Sequence, residues 1–145
     1  MDPNELAQAV ARSMFARDSA SQSLGMRILE VRAGYARMSM VVTAAMLNGH
    51  QVCHGGFLFT LADSAFAFAC NSYNLNTVAS GATVDFLAPG REGDELLAEA
   101  QEQSLSGRTG VYDVSVTNQR GEKVAVFRGR SYRIKGEVIP ATGGA

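Results

Sequence analysis

Between Arg37 and Asp85 the only residue with a formal charge is Asp63, and it falls in the middle of an apolar helical run. A lone carboxylate in such surroundings is costly unless something satisfies or uses it. Two turns earlier, Gly55 and Gly56 follow His54 where that run begins, presenting bare backbone N–H groups at a helix N-terminus. Such an end favours developing negative charge. A carboxylate together with an oxyanion-binding helix end suits attack on a carbonyl carbon, which predicts acyl transfer or hydrolysis. Gly55 and Asp63 are eight residues apart, about 12 Å along a regular helix. One carbonyl cannot touch both from a single chain when each contact is about 3 Å. The two groups must therefore come from different copies, which predicts a dimer with antiparallel central helices and two equivalent interfacial sites.

Several elements must position these groups. Leu6, Val10 and Met14 recur every four residues, which predicts an amphipathic helix from Pro3 to about Ala16, opened by Asp2 or Pro3, within an N-terminal helical segment over residues 1–20. Strands are expected at Leu24–Glu30 and Tyr35–Val42, around a turn at Ala33-Gly34. A loop from Thr43 to Cys53 leads into the Gly55–Asn71 helix, so apolar on nearly every side that the rest of the protein must wrap it. Four more strands are predicted at Val78–Leu87, Glu95–Gln103, Thr109–Asn118 and Lys123–Ile134, with short connections that favour antiparallel neighbours. The residues from 137 to 145 read as a disordered tail. The pattern is that of a single α+β domain, residues 1–145, with a curved antiparallel sheet around one buried helix.

The chain has 145 residues, 46% hydrophobic and 19% charged, enough for one domain with a proper core. A net charge of -1 gives no global field for nucleic acid. Eight of the thirteen basic residues do lie between Arg91 and Lys135, an arrangement suited to a phosphorylated small molecule. The N-terminus lacks the features of a signal peptide and no run is long enough to span a bilayer, so the expected setting is cytoplasmic. Cys53 and Cys70 have no metal-like spacing and are expected as free thiols.

The runs Asn48-Gly49-His50, His54-Gly55-Gly56-Phe57 and Leu61-Ala62-Asp63-Ser64-Ala65-Phe66-Ala67 resemble the hotdog-fold acyl-CoA thioesterases, specifically the phenylacetic-acid-degradation (PaaI) type. The likeness continues through Val84-Asp85-Phe86-Leu87-Ala88-Pro89, Gly107-Arg108-Thr109-Gly110 and Phe127-Arg128-Gly129. It implies that Asp63 is the catalytic carboxylate and that the Gly55 N–H polarises the thioester oxygen, with Asn48 and His54 orienting the carbonyl or the attacking water. Gly56 and Ser64 are supporting positions. Arg108, in a glycine-flanked turn, and Arg91, after Pro89-Gly90, are candidates for the phosphates of coenzyme A. The implied substrate is an aryl-acetyl-CoA such as phenylacetyl-CoA or a ring-hydroxylated form, with no metal or redox cofactor. The implied assembly is a homodimer with shared sites, itself paired into a homotetramer.

Each assignment has a plainer competitor. Asp63 could make a buried hydrogen bond or ion pair, Asn48-Gly49 is a common turn dipeptide, His54 could simply end the loop, and the two glycines could serve close packing. The helix phenylalanines are core residues, of which Phe59 or Phe66 could also meet the acyl group. Cys53 beside His54 suggests a thiol nucleophile, but neighbours in an extended segment project in opposite directions. Asp63 could act as general base or attack directly to give a mixed anhydride. Two other functions fit the same pattern: a hydroxyacyl dehydratase or hydratase with His54 as its base, and a non-catalytic acyl-CoA sensor.

Overall fold

The computed structural model of the chain describes residues 1–140. Helix α1 (Pro3–Ala16) starts where the Asp2 carboxylate accepts the N–H groups of Asn4 (2.8 Å) and Glu5 (3.0 Å). Its Ala7, Val10 and Ala11 face inward. Asp18 repeats the device, accepting the Ser21 N–H at 2.9 Å and opening a short helix, α2 (Ser19–Ser23). The first strand, expected from Leu24, consequently begins only at Arg27. Strands β1 (Arg27–Arg32) and β2 (Tyr35–Val41) form a hairpin. At its turn Gly34 has φ +72°, the left-handed region that glycine enters without strain.

Helix α3 (Gly55–Cys70) follows, then β3 (Leu75–Phe86), β4 (Glu95–Ser106), β5 (Thr109–Thr117) and β6 (Lys123–Glu137). All six strands make one antiparallel sheet in the order β1-β2-β4-β5-β6-β3. The α+β hotdog architecture holds, with one exception to the expected neighbours. Although β3 and β4 are consecutive, β3 crosses to the far edge against β6, and β4 returns beside β2. Asn71 fixes the join between α3 and β3. Its side chain donates to the Thr77 carbonyl at 3.0 Å and accepts the Thr77 N–H at 2.9 Å, so β3 starts where α3 ends.

The core lies between the sheet's inner face and α3, with Met38, Met40, Leu96, Ala98, Tyr112, Val114, Val116 and Phe127 meeting Leu58, Leu61, Ala62, Ala65, Phe66 and Ala69. Gly129 is required by close approach: a Cβ there would lie 2.8 Å from the Phe66 ring. The expected tail does not begin at 137. Strand β6 continues to Glu137, and Asn74 fixes Ile139 by donating to its carbonyl (2.8 Å) and accepting its N–H (2.9 Å). Residues 141–145 lie outside the described residues.

Candidate active site

His54 is the N-cap of α3. Its Nδ1 accepts the Gly56 N–H at 2.9 Å, while its own N–H donates to the Met46 carbonyl at 2.8 Å. An accepting Nδ1 leaves the proton of a neutral imidazole on Nε2, so the ring presents only a donor to the outside. The two glycines thereby part company. Gly56 gives its N–H to the cap, whereas the Gly55 N–H has no acceptor among the described residues. It lies at the positive end of a 16-residue helix.

Gly55 opens onto a cleft of about 460 Å³ with Asn48, Val52, Leu58, Phe86, Leu87 and Pro89 on its walls. Asn48 Oδ1 accepts the N–H groups of His50 (2.9 Å) and Val52 (3.3 Å), which fastens the loop before α3. The turn role anticipated for Asn48 and its place in the cleft are therefore compatible. With the oxygen occupied, Nδ2 is the atom left to serve a ligand, as a donor. Phe86 lies directly against Gly55, a contact that sequence reasoning missed. The signal was an aromatic residue ending a strand immediately before Leu87-Ala88-Pro89.

Asp63 makes neither an ion pair nor a hydrogen bond among the described residues, and burial alone pushes its carboxyl above the ordinary aspartate range. The plainer reading of Asp63 as a satisfied buried acid is not what the chain contains. Nor is α3 wrapped on every side. Gly56, Phe59, Thr60, Asp63 and Ala67 form a stripe that the chain's own sheet leaves partly or fully open. Phe66, by contrast, is fully buried against Tyr112 and Phe127, which removes it from any acyl contact in this chain. Ser64 also points away from the stripe. Its hydroxyl lies 2.9 Å from that of Ser21, which itself donates to Asp18 at 2.7 Å, so Ser64 ties α3 to α2.

Arg91 and Arg108 sit at opposite ends of β4, roughly 35–40 Å apart at about 3.3 Å per residue. They cannot hold the same phosphates within one chain. Arg108 donates to the Arg133 carbonyl at 3.1 Å and borders a second cavity of about 200 Å³ with Arg133, Tyr73, Leu75 and Leu105 over Cys70. Burial pushes the thiol of Cys53 up to about 11 and that of Cys70 up to about 12, so neither is a ready nucleophile. Among the described residues no three His, Cys, Asp or Glu side chains are grouped to hold a metal ion, and no helix is long and apolar enough to cross a membrane.

Comparison with known proteins agrees with this fold. Residues 50–125 match the family model described as Thioesterase superfamily. The chain is 52% identical over 128 residues to acyl-coenzyme A thioesterase PaaI of Escherichia coli, covering 88% of this chain and 91% of that one. The structure of the E. coli PaaI protein from the phenylacetic acid degradation operon superposes with a TM-score of 0.93 at 49% identity, covering 94% of this chain and 99% of the other. A hypothetical thioesterase from Streptococcus pneumoniae, solved with coenzyme A, superposes at 0.74 with 28% identity, covering 77% and 90%. The chain belongs to the thioesterase superfamily, among its hotdog-fold acyl-CoA thioesterases.

Proposed function

We propose that the protein hydrolyses aryl-acetyl-CoA thioesters, such as phenylacetyl-CoA or a ring-hydroxylated form, to free coenzyme A and the carboxylic acid, in phenylacetate breakdown. The observation that carries this reading is an unpaired Gly55 N–H at a helix end and an unpaired Asp63 on the same helix, too far apart to meet in one chain. Two-fold pairing of antiparallel α3 helices brings Asp63 beside the partner's Gly55 and covers the open stripe. The axis then passes beside Phe59, midway between the two positions. The exposed edge of β3 favours the same pairing, since Val78 on it is 45% exposed and a long apolar edge strand is a template for another chain. Two such dimers form the proposed homotetramer.

In this arrangement the C-terminal end of α3, which borders the cavity beside Arg108, extends past the partner's Gly55. Arg108 and Arg133 of one chain and Arg91 of the other then face one coenzyme A, with its phosphates outward and the thioester at Gly55. Asp63 takes a proton from water, whose oxygen attacks the carbonyl carbon. The oxyanion accepts the Gly55 N–H and the Asn48 Nδ2–H, and on collapse the C–S bond breaks, the thiolate taking the proton back from Asp63. The route uses no metal or redox cofactor. Desolvation, by raising the Asp63 pKa, makes it a stronger base while it is ionised, so activity should fall as pH drops through that raised value. Buried free thiols at Cys53 and Cys70 fit a reducing, cytoplasmic setting.

The dehydratase reading loses support at His54, whose unprotonated nitrogen is occupied by the Gly56 N–H. Thiol release across a panel of acyl-CoA chain lengths and aryl groups, repeated with Asp63→Asn, tests the proposal. Hydrolysis that favours aryl-acetyl groups and falls by about a thousandfold in the variant, with binding kept, is the expected result. Formation of an enoyl product without free thiol, or tight binding without turnover, would contradict it.

A further inference from the structure

We propose that Phe86 is the residue that sets acyl selectivity, its ring forming the wall on which an arylacetyl ring packs next to the thioester carbonyl. This rests on the thioesterase reading above. Phe86 ends β3 opposite Ala125, and the next two N–H groups, of Leu87 and Ala88, both donate to the Val124 carbonyl at 2.8 and 3.2 Å. The backbone that carries the ring is therefore held on both sides. The ring tip rests on Gly55: a Cβ at 55 would lie 2.9 Å from Cζ and 3.1 and 3.3 Å from the two Cε atoms. Phe86 as a whole is 54% exposed, unlike Phe66, Phe68 and Phe127 of the core.

A carbonyl oxygen accepting the Gly55 N–H at about 3 Å puts the acyl α-carbon two bonds further on, within van der Waals reach of that ring. Leu58, Leu87 and Val52 share the wall, and Asn48 is its polar group. An apolar surface suits the acyl group rather than the amide-bearing arm of coenzyme A, and aromatic rings meet in offset or edge-on pairs. Phe86 also explains the need for glycine at 55. Alanine would keep the N–H that binds the oxyanion, so a loss of activity on Gly55→Ala would come from pushing the ring.

The test measures kcat/KM for phenylacetyl-, hexanoyl- and acetyl-CoA in the wild type, Phe86→Ala, Phe86→Tyr, Gly55→Ala and the double variant Gly55→Ala with Phe86→Ala. Phe86→Ala should lower the phenylacetyl-to-acetyl ratio about tenfold, and Phe86→Tyr should hold it within about twofold. The loss caused by Gly55→Ala should shrink about tenfold when Phe86 is already alanine. If Phe86→Ala weakens every thioester equally, or Gly55→Ala does the same damage in both backgrounds, the proposal is overturned while hydrolysis stands. Absence of thiol release by the wild type with all three substrates would instead overturn the thioesterase reading, and this inference with it.

Discussion

The two faces of α3 belong to one mostly apolar run and meet opposite fates. On one, Leu61, Ala62, Ala65 and Ala69 are wholly buried against the sheet. On the other, Phe59, Thr60, Asp63 and Ala67 stay open although their neighbours are just as apolar. The first face holds the chain together; in the proposed dimer the second is covered by the partner. Stability and activity should therefore separate by face along a single helix.

A charge on the open stripe should separate them most sharply. Ala67→Arg should leave a folded monomer without measurable thioester hydrolysis, which sedimentation and thiol-release assays would reveal together; an active dimer would erase the distinction between the faces. On the buried face Leu61→Ala leaves a cavity and should lower stability by about 2–5 kcal/mol in denaturant titration. The protein that remains folded should keep most of its turnover.

Asp63 itself sharpens the contrast, because it should weaken the fold that carries it. Its folded pKa lies above 3.8 and its unfolded pKa near that value, so its favourable contribution is complete at low pH and lost as pH rises through the folded pKa. Asp63→Asn should therefore raise the melting temperature at neutral pH, by an amount that shrinks as pH falls toward 3.8. A variant less stable than the wild type at pH 7 would mean that the carboxylate has a stabilising partner. Ser64→Ala should have the smallest effect. Loss of its bond to Ser21 should cost about 1 kcal/mol, with kcat changed less than about threefold. A large drop in kcat would return Ser64 to the site.

Local chemistry was legible in the sequence wherever a cap or period wrote it. Asp2 and Pro3 mark α1, His54-Gly55-Gly56 mark the start of α3, and the glycine turns mark the hairpins. The solitary charge at 63 marked the carboxylate. What was not legible depends on which atoms particular side chains meet, whether near or far in sequence. The short helix at Ser19–Ser23 hangs on the Asp18 cap, and the join between α3 and β3 hangs on Asn71 reaching Thr77. The divergence of Gly55 from Gly56 follows from one imidazole nitrogen, and the engagement of Ser64 from a hydroxyl 43 residues away. The ring of Phe86 against Gly55 joins a strand end to a helix start, which no local pattern encodes.

Mixed dimers test the shared site most directly. Gly55→Pro removes the N–H at the first helical position, where the backbone accepts proline because His54, at ψ 134°, already has the conformation that precedes it, and where the added ring displaces the tip of Phe86 as any Cβ at 55 would. Each homodimer, Gly55→Pro or Asp63→Asn, should be inactive. A purified heterodimer of the two has one site in which an intact Asp63 meets an intact Gly55, and it should recover about half the wild-type rate per dimer. A heterodimer as silent as its parents would mean that acid and amide act within one chain, contrary to the geometry of α3.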